Sequence, residues 1–193
     1  MPKIQRDSLL TLEAYARERP AFRSRVIAHK KPRTVHLGEH LTLVFEDELT
    51  IRYQVQEMLR IERLFEEEDI QSELDVYNPL IPDGTNLKAT LMIEYDDPAE
   101  RRRRLAELRG IEDRVWVQVE GGERVYAIAD EDLERETEEK TSAVHFLRFE
   151  LDEADRRRLK AGAGLTIGVD HPQYQATTEA SAETRAALAA DLA

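Results

Sequence analysis

Four polar side chains lie on or beside the apolar seam of the strongest helical pattern in this 193-residue chain: Tyr53, Gln54, Glu57 and Glu62. At about 100° per residue, Ile51, Val55, Met58 and Phe65 share a sector about 80° wide. Glu62 falls in the middle of that sector and Gln54 inside it. Glu57 falls at its margin, near Tyr53 and Leu64. A carboxylate turned toward a core must be paired, hydrogen-bonded or protonated, and its pKa can move by units. Two readings follow. Glu62 forms a buried ion pair with an arginine of the N-terminal segment, or these residues line a pocket holding a ligand or acid–base carboxylate. The ion pair is the simpler of the two.

A second set of residues could bind a metal. Glu94 ends a strand pattern, and His145 shares a strand face with Leu147 and Phe149. Asp170 and His171 close another strand, with Tyr174 three residues on. Glu and His ligands from separate elements suit Zn, Mn or Fe. No local spacing reinforces the set: His-Glu-x-x-His and the Glu-x-x-His of di-iron bundles are both absent. His36 and His40 are four apart, but in a hairpin. A lone histidine on an apolar face is more often a satisfied core residue than a ligand. With no cysteine, disulfides, cysteine nucleophiles and thiolate-ligated iron–sulfur clusters are excluded. There is no phosphate-binding glycine loop, no Gly-x-Ser-x-Gly elbow and no dinucleotide fingerprint, which argues against the common nucleotide enzymes.

The elements that must position these residues read as α+β. Asp7 or Ser8 caps a short helix carrying Leu9, Leu12 and Tyr15, and Pro20 opens a second through Ala28. Val35 to Phe45 is a hairpin about Gly38-Glu39. One long helix spans 49–68, followed by a polar bend and the loop Asn78-Pro79-Leu80-Ile81-Pro82-Asp83-Gly84. Lys88 to Tyr95 alternates as a strand with Ala89, Leu91, Ile93 and Tyr95 on one face. Asp97-Pro98-Ala99-Glu100 starts a helix that ends at Gly110. Val115 to Val119 and Glu123 to Ile128 are strands about Gly121-Gly122, and an acidic stretch runs from Asp130 to Lys140. A strand (143–151), a helix (152–161) and a strand (165–169) follow. A mainly antiparallel sheet over 88–170 thus carries two helices. One domain is expected over 1–175, made of a basic helical segment (1–33), the hairpin, long helix and loop (34–87), and the sheet. The alanine-rich 176–193 reads as a loosely attached tail.

Two stretches are alike. Asp97-Pro98-Ala99-Glu100-Arg101-Arg102-Arg103 parallels Asp152-Glu153-Ala154-Asp155-Arg156-Arg157-Arg158, each between two strands. Duplication of a strand–helix–strand unit explains this. So does convergence, because acids belong at helix N-termini.

Net charge is −12, while residues 1–33 alone carry +6. A basic arm can bind nucleic acid, but an acidic body repels phosphate within a Debye length of about 8–10 Å. Docking within the chain or onto another subunit, as in a homo-oligomer, is the better expectation. The N-terminus has no apolar signal core and no run of about 18 apolar residues occurs, so no membrane association and a cytoplasmic location are expected.

The run Ile51-Arg52-Tyr53-Gln54-Val55-Gln56-Glu57-Met58-Leu59-Arg60-Ile61-Glu62, then Asn78-Pro79-Leu80-Ile81-Pro82-Asp83-Gly84 leading into Ala89-Thr90-Leu91, resembles an uncharacterised bacterial family known only as a domain of unknown function. The resemblance covers Arg6 to about Tyr174. Members are often encoded beside rubrerythrin-like and iron–sulfur or flavin oxidoreductase-like proteins. It therefore implies an accessory or binding role near redox or oxidative-stress chemistry, with an oxidoreductase as partner. It carries no catalytic residues. The alternatives are a metal-dependent Glu/His enzyme and nucleic-acid binding by the basic segment.

Overall fold

Alternating apolar residues make this chain's strands one-sided, and one-sided strands need a second layer to cover them. The computed structural model, which describes residues 3–193, supplies that layer with a second sheet. In chain order the elements are helix α1 (Leu12–Lys30), strands β1 (Thr34–Leu37) and β2 (Leu41–Phe45), helices α2 (Glu48–Glu62) and α3 (Glu67–Tyr77), strand β3 (Asn86–Ile93) and helix α4 (Pro98–Glu107). Strands β4 (Val115–Val119), β5 (Arg124–Tyr126), β6 (Ile128–Ala129) and β7 (Val144–Glu150) follow, then helix α5 (Glu153–Lys160), strands β8 (Leu165–His171) and β9 (Tyr174–Glu179) and helix α6 (Ala182–Ala189).

The fold is α+β, as the sequence indicates, but the expected single sheet over 88–170 is two antiparallel sheets. One has the order β1-β2-β3-β7-β6 and the other β5-β4-β8-β9. Alternation tells which face of a strand is buried, not which sheet the strand joins. Leu87, Ala89, Leu91 and Ile93 of β3 and Leu147 and Phe149 of β7 belong to the same apolar core as Val115, Val117 and Val119 of β4 and Leu165, Ile167 and Val169 of β8.

The chain passes from the first sheet to the second twice, each time through one of the two similar helices. The crossings are β3–α4–β4 and β7–α5–β8. β3 pairs antiparallel with β7, and β4 with β8. Neighbouring pairs extend the likeness: β2 flanks β3 as β6 flanks β7, and β5 flanks β4 as β9 flanks β8. The local chemistry repeats as well. The Asp97 and Asp152 side chains cap their helices by accepting from Glu100 N and Asp155 N, both at 2.7 Å. Arg101 Nη1 donates to Tyr95 O (3.2 Å) and Arg156 Nη1 to Leu151 O (3.3 Å). This pseudo-two-fold arrangement favours duplication over convergence.

Helices α2 and α3 form a second, smaller core from Ile51, Val55, Leu59, Ile70 and Leu74, closed by Ile4 and Leu9 ahead of α1 and by Ile81 after α3. Here several expectations change. α1 is one continuous helix capped by Thr11, with Pro20 inside it; Asp7 and Ser8 lie in a 3-10 turn. The long helix over 49–68 is two. α2 ends at Glu62, because Arg63 turns left-handed (φ 56°) and its N–H closes on Leu59 O; α3 then occupies the expected polar bend. No glycine marks this break.

The hairpin turn has three residues, since Leu37 pairs with Leu41. Gly38 has φ +68°, and a Cβ there would meet the Tyr174 hydroxyl. The last eighteen residues are docked rather than loose. β9 pairs with β8 from His171↔Tyr174 to Thr166↔Glu179, and Leu188 is wholly buried. Buried Arg33 clamps Asp191 with two 2.8 Å hydrogen bonds and also reaches Asp47 at 3.0 Å. Burial opposes its charge, yet Asp191 and Asp47 hold its pKa above the usual value. Composition alone hides these long-range partners.

Candidate functional site

The four polar residues of α2 do not form a pocket together. The buried ladder is Ile51, Val55 and Leu59, and it stops where the helix stops. Glu62, in the final turn, is exposed, as is Phe65 beyond it. An ion pair to an N-terminal arginine exists, but through Glu57, and it is half-buried rather than buried. Arg19 of α1 grips it through Nε at 2.7 Å and Nη2 at 3.1 Å, Tyr15 donates its hydroxyl at 2.6 Å, and Arg60 adds 3.0 Å. Hydrogen bonds from Arg19 first, then Arg60 and Tyr15, outweigh burial and hold the Glu57 carboxyl at about 2. Tyr53 packs against Phe22, and Gln54 hydrogen-bonds Tyr77. Gln56, which the helical wheel puts on the polar side, is buried because the N-terminal segment covers that side. Its amide accepts from Leu10 N (2.8 Å) and donates to Leu10 O (3.3 Å).

The four metal candidates are dispersed. Glu94 is exposed and accepts from Thr42 Oγ1 at 2.7 Å. Asp170 accepts from the Tyr126 hydroxyl at 2.5 Å, with Arg124 at 3.7 Å. His171 is complete in itself: Nε2 faces the Arg109 carbonyl at 2.9 Å and Nδ1 accepts from Gln173 N at 3.1 Å. Only His145 sits in a cluster, with partners the sequence did not suggest. Its Nδ1 lies 2.5 Å from Asp130 Oδ2. Its Nε2 faces Thr141 Oγ1 (2.9 Å), the Ser142 carbonyl (3.0 Å) and Glu112 Oε2 (3.8 Å). Thr141 Oγ1 is also 3.2 Å from Glu112 Oε2.

These groups come from four segments. Glu112 follows Gly110, whose φ of +75° turns the chain out of α4. Asp130 follows β6 in a left-handed conformation (φ 49°) and accepts from Phe146 N at 3.0 Å and Arg135 at 3.2 Å. Thr141 and Ser142 close the acidic stretch, and His145 lies on β7. Burial raises the Glu112 pKa, against the pull of His145.

Beside this cluster lies a cleft of about 230 Å³, on the outer face of the first sheet. Phe146, Lys88 and Arg148 form its floor. Val76, Pro79 and Leu80 wall one side, and Glu131 and Asp132 the other. The apolar side is the end of α3 and the proline turn; the acidic side is the start of the loop after β6.

The cleft's cations are engaged. Lys88 Nζ donates to Pro79 O at 2.6 Å, and burial pulls its pKa down. Arg148 binds Glu131 (2.9 Å) and Glu150 (2.6 Å). Glu46, in the inner wall, is different. It is a buried carboxylate whose oxygens accept from the hydroxyls of Thr90 (2.6 Å) and Thr50. Among the described residues no cation lies within ion-pair distance of it. Arg33 senses its charge but hydrogen-bonds Asp191 and the Ala187 carbonyl. The arrangement can hold an apolar body and offer a carboxylate to a positive head group. Sequence patterning missed it because Glu46 sits between a strand and a helix, where an acid reads as a helix start.

Residues 3–192 match the family described as "Protein of unknown function (DUF3501)". A crystal structure of a "novel protein of unknown function" from Burkholderia pseudomallei K96243 is 60% identical, covers 100% of both chains and superposes with a TM-score of 0.95. No curated protein matches the chain.

Proposed function

Because the chain belongs to the DUF3501 family, whose description assigns no activity, we propose from geometry that it is a binding protein for a small organic cation with an apolar body, held in the cleft over the first sheet. The observation that carries this is Glu46, a buried carboxylate served only by hydroxyls, in the wall of a cavity whose Lys88 is held by the Pro79 carbonyl and whose Arg148 is paired with Glu131 and Glu150. A carboxylate has about four acceptor sites, and two hydroxyls leave room for an incoming N–H donor. A buried charge that gains an opposite charge and a hydrogen bond recovers part of its desolvation cost. Pockets of this type combine apolar walls with few polar groups.

Phenethylamine and phenylacetate, similar in size and opposite in charge, test the reading by calorimetry. The amine is expected to bind and the acid not, and Glu46→Gln should weaken the amine at least tenfold. Equal binding of both probes, or an amine affinity untouched by Glu46→Gln, would overturn it.

An oxidoreductase partner belongs with this proposal as its accessory side. α1 exposes Arg17, Arg23 and Arg25 on a protein of net charge −12, a contrast suited to steering a charged partner. Affinity purification from native cells that recovers no redox protein would remove it.

A further inference from the structure

His145 is surrounded by more acceptors than a neutral imidazole can serve. Such a ring has one N–H and one lone pair. If Nδ1 carries the hydrogen, it donates to Asp130 Oδ2 at 2.5 Å. The Nε2 lone pair then points at oxygens: Ser142 O at 3.0 Å, Thr141 Oγ1 at 2.9 Å and, further out, Glu112 Oε2 at 3.8 Å. The one hydroxyl among them cannot satisfy both Nε2 and Glu112, and a carbonyl facing a lone pair is repulsive. His171 shows the contrast, with a complementary acceptor on one nitrogen and donor on the other. A positive centre is needed at Nε2, and the side chain is fully buried.

We propose that this centre is a divalent first-row metal ion held by His145 Nε2, Glu112, Thr141 Oγ1 and the Ser142 carbonyl, with Asp130 orienting the ring from behind. Two ligands about 2.1 Å from an ion and roughly at right angles to a tetrahedral angle apart are themselves about 3.0–3.4 Å apart. The Nε2–Thr141, Nε2–Ser142 and Thr141–Glu112 separations of 2.9, 3.0 and 3.2 Å fall at or near that range. Glu112 needs to move inward by less than 1 Å toward Nε2. An Asp carboxylate on Nδ1 is the usual second partner of a metal-bound histidine: it fixes the tautomer and raises ring basicity. One nitrogen and three oxygens form a harder donor set than thiolate sites, suited to Mn or Fe and tolerated by Zn. Among the described residues, Glu112, Asp130 and His145 are the one group of three or more His and carboxylate side chains with ligand atoms close enough to share an ion; the contact of Asp130 with Nδ1 makes it the orienting member of that group and leaves Glu112 and His145 as the side chains on the ion. The site is separate from the cleft at Glu46 and stands or falls without it.

The test uses the full-length, untagged protein stripped with EDTA and dialysed, titrated with Mn²⁺, Zn²⁺ and Co²⁺ alone. One equivalent should bind, the melting temperature should rise, and Co²⁺ should develop visible bands of a nitrogen- and oxygen-ligated ion. Glu112→Gln should weaken binding more than tenfold and Asp130→Asn about tenfold or more, while His171→Asn leaves it unchanged. If Glu112→Gln does not fold, Thr141→Val takes its place. No stoichiometric ion below about 100 µM, equal affinity in the Glu112 variant, or a doubly protonated His145 ring unaffected by added metal would each overturn the proposal. The last would mean that a proton is the positive centre.

Discussion

The two halves related by the pseudo-two-fold share a frame and differ in what they insert into it. Between β2 and β3 the first half carries α2 and α3; between β6 and β7 the second carries an acidic loop. The helical insertion has its own apolar core. The loop is anchored by polar groups, chiefly Asp130 and Arg135. The insertions face each other across the cleft, one giving Val76, Pro79 and Leu80, the other Glu131 and Asp132. The strands and crossing helices repeat because packing dictates them. The chemistry lies in the parts that do not repeat, as loops on a rigid scaffold usually carry function.

If the insertions are held so differently, they should fail differently. Leu59→Ala empties a fully packed site in the helical insertion and should cost about 3 kcal/mol, seen as a lower denaturation midpoint. Asp130→Asn keeps the left-handed backbone but deprives His145 and Arg135 of a charged partner. It should cost about 2 kcal/mol and speed trypsin cleavage after Arg135 or Lys140. An unchanged cleavage rate would show that Asp130 does not anchor the loop.

Acid tests the helical side through Glu57. The folded pKa of Glu57 is depressed from its ordinary 4.5 to about 2. Its stabilisation is therefore full above about 4.5 and is lost as pH falls toward about 2. Near neutral pH, Glu57→Gln should be less stable than the parent by about 1–2 kcal/mol. The gap should close as pH is lowered from 5 toward 2, and a pH-independent gap would count against the Arg19 pair. The smallest effect tests the symmetry itself. Arg101→Ala and Arg156→Ala remove corresponding arginines whose backbone acceptors, Tyr95 O and Leu151 O, lie six and five residues back. Each should cost about 0.5–1 kcal/mol, with unequal costs weakening the equivalence.

Much of the frame could be read in advance. The Asp97-Pro98 and Asp152 helix starts and the alternation of β4 rest on local rules and stand where expected, while β3 lies two residues earlier than its pattern suggests and the proline loop opens with a 3-10 turn. The break at Arg63 could not be read, because a left-handed arginine has no signature. Assuming a continuous helix to 68 placed Glu62 and Phe65 in a seam that ends before them. Helical spacing puts an arginine-bound glutamate on the right helix but at the wrong residue, since the angle around a helix does not say which sides other segments will cover. Strand alternation marks His145, but Glu112, Asp130 and Thr141 come from scattered segments whose meeting depends on tertiary structure. Glu46 reads in the sequence only as a helix start.

The Tyr174 hydroxyl donates to Leu37 O at 2.5 Å and accepts from His40 N at 3.1 Å. It thereby ties the start of β9 to the turn after β1, and β1 and β9 are the outermost strands of the two sheets on that flank. Bare outer strands are templates on which other chains add and fibrils begin. A single phenol thus pins these two outer strands to each other at one end, and Gly38 leaves the space that the phenol fills.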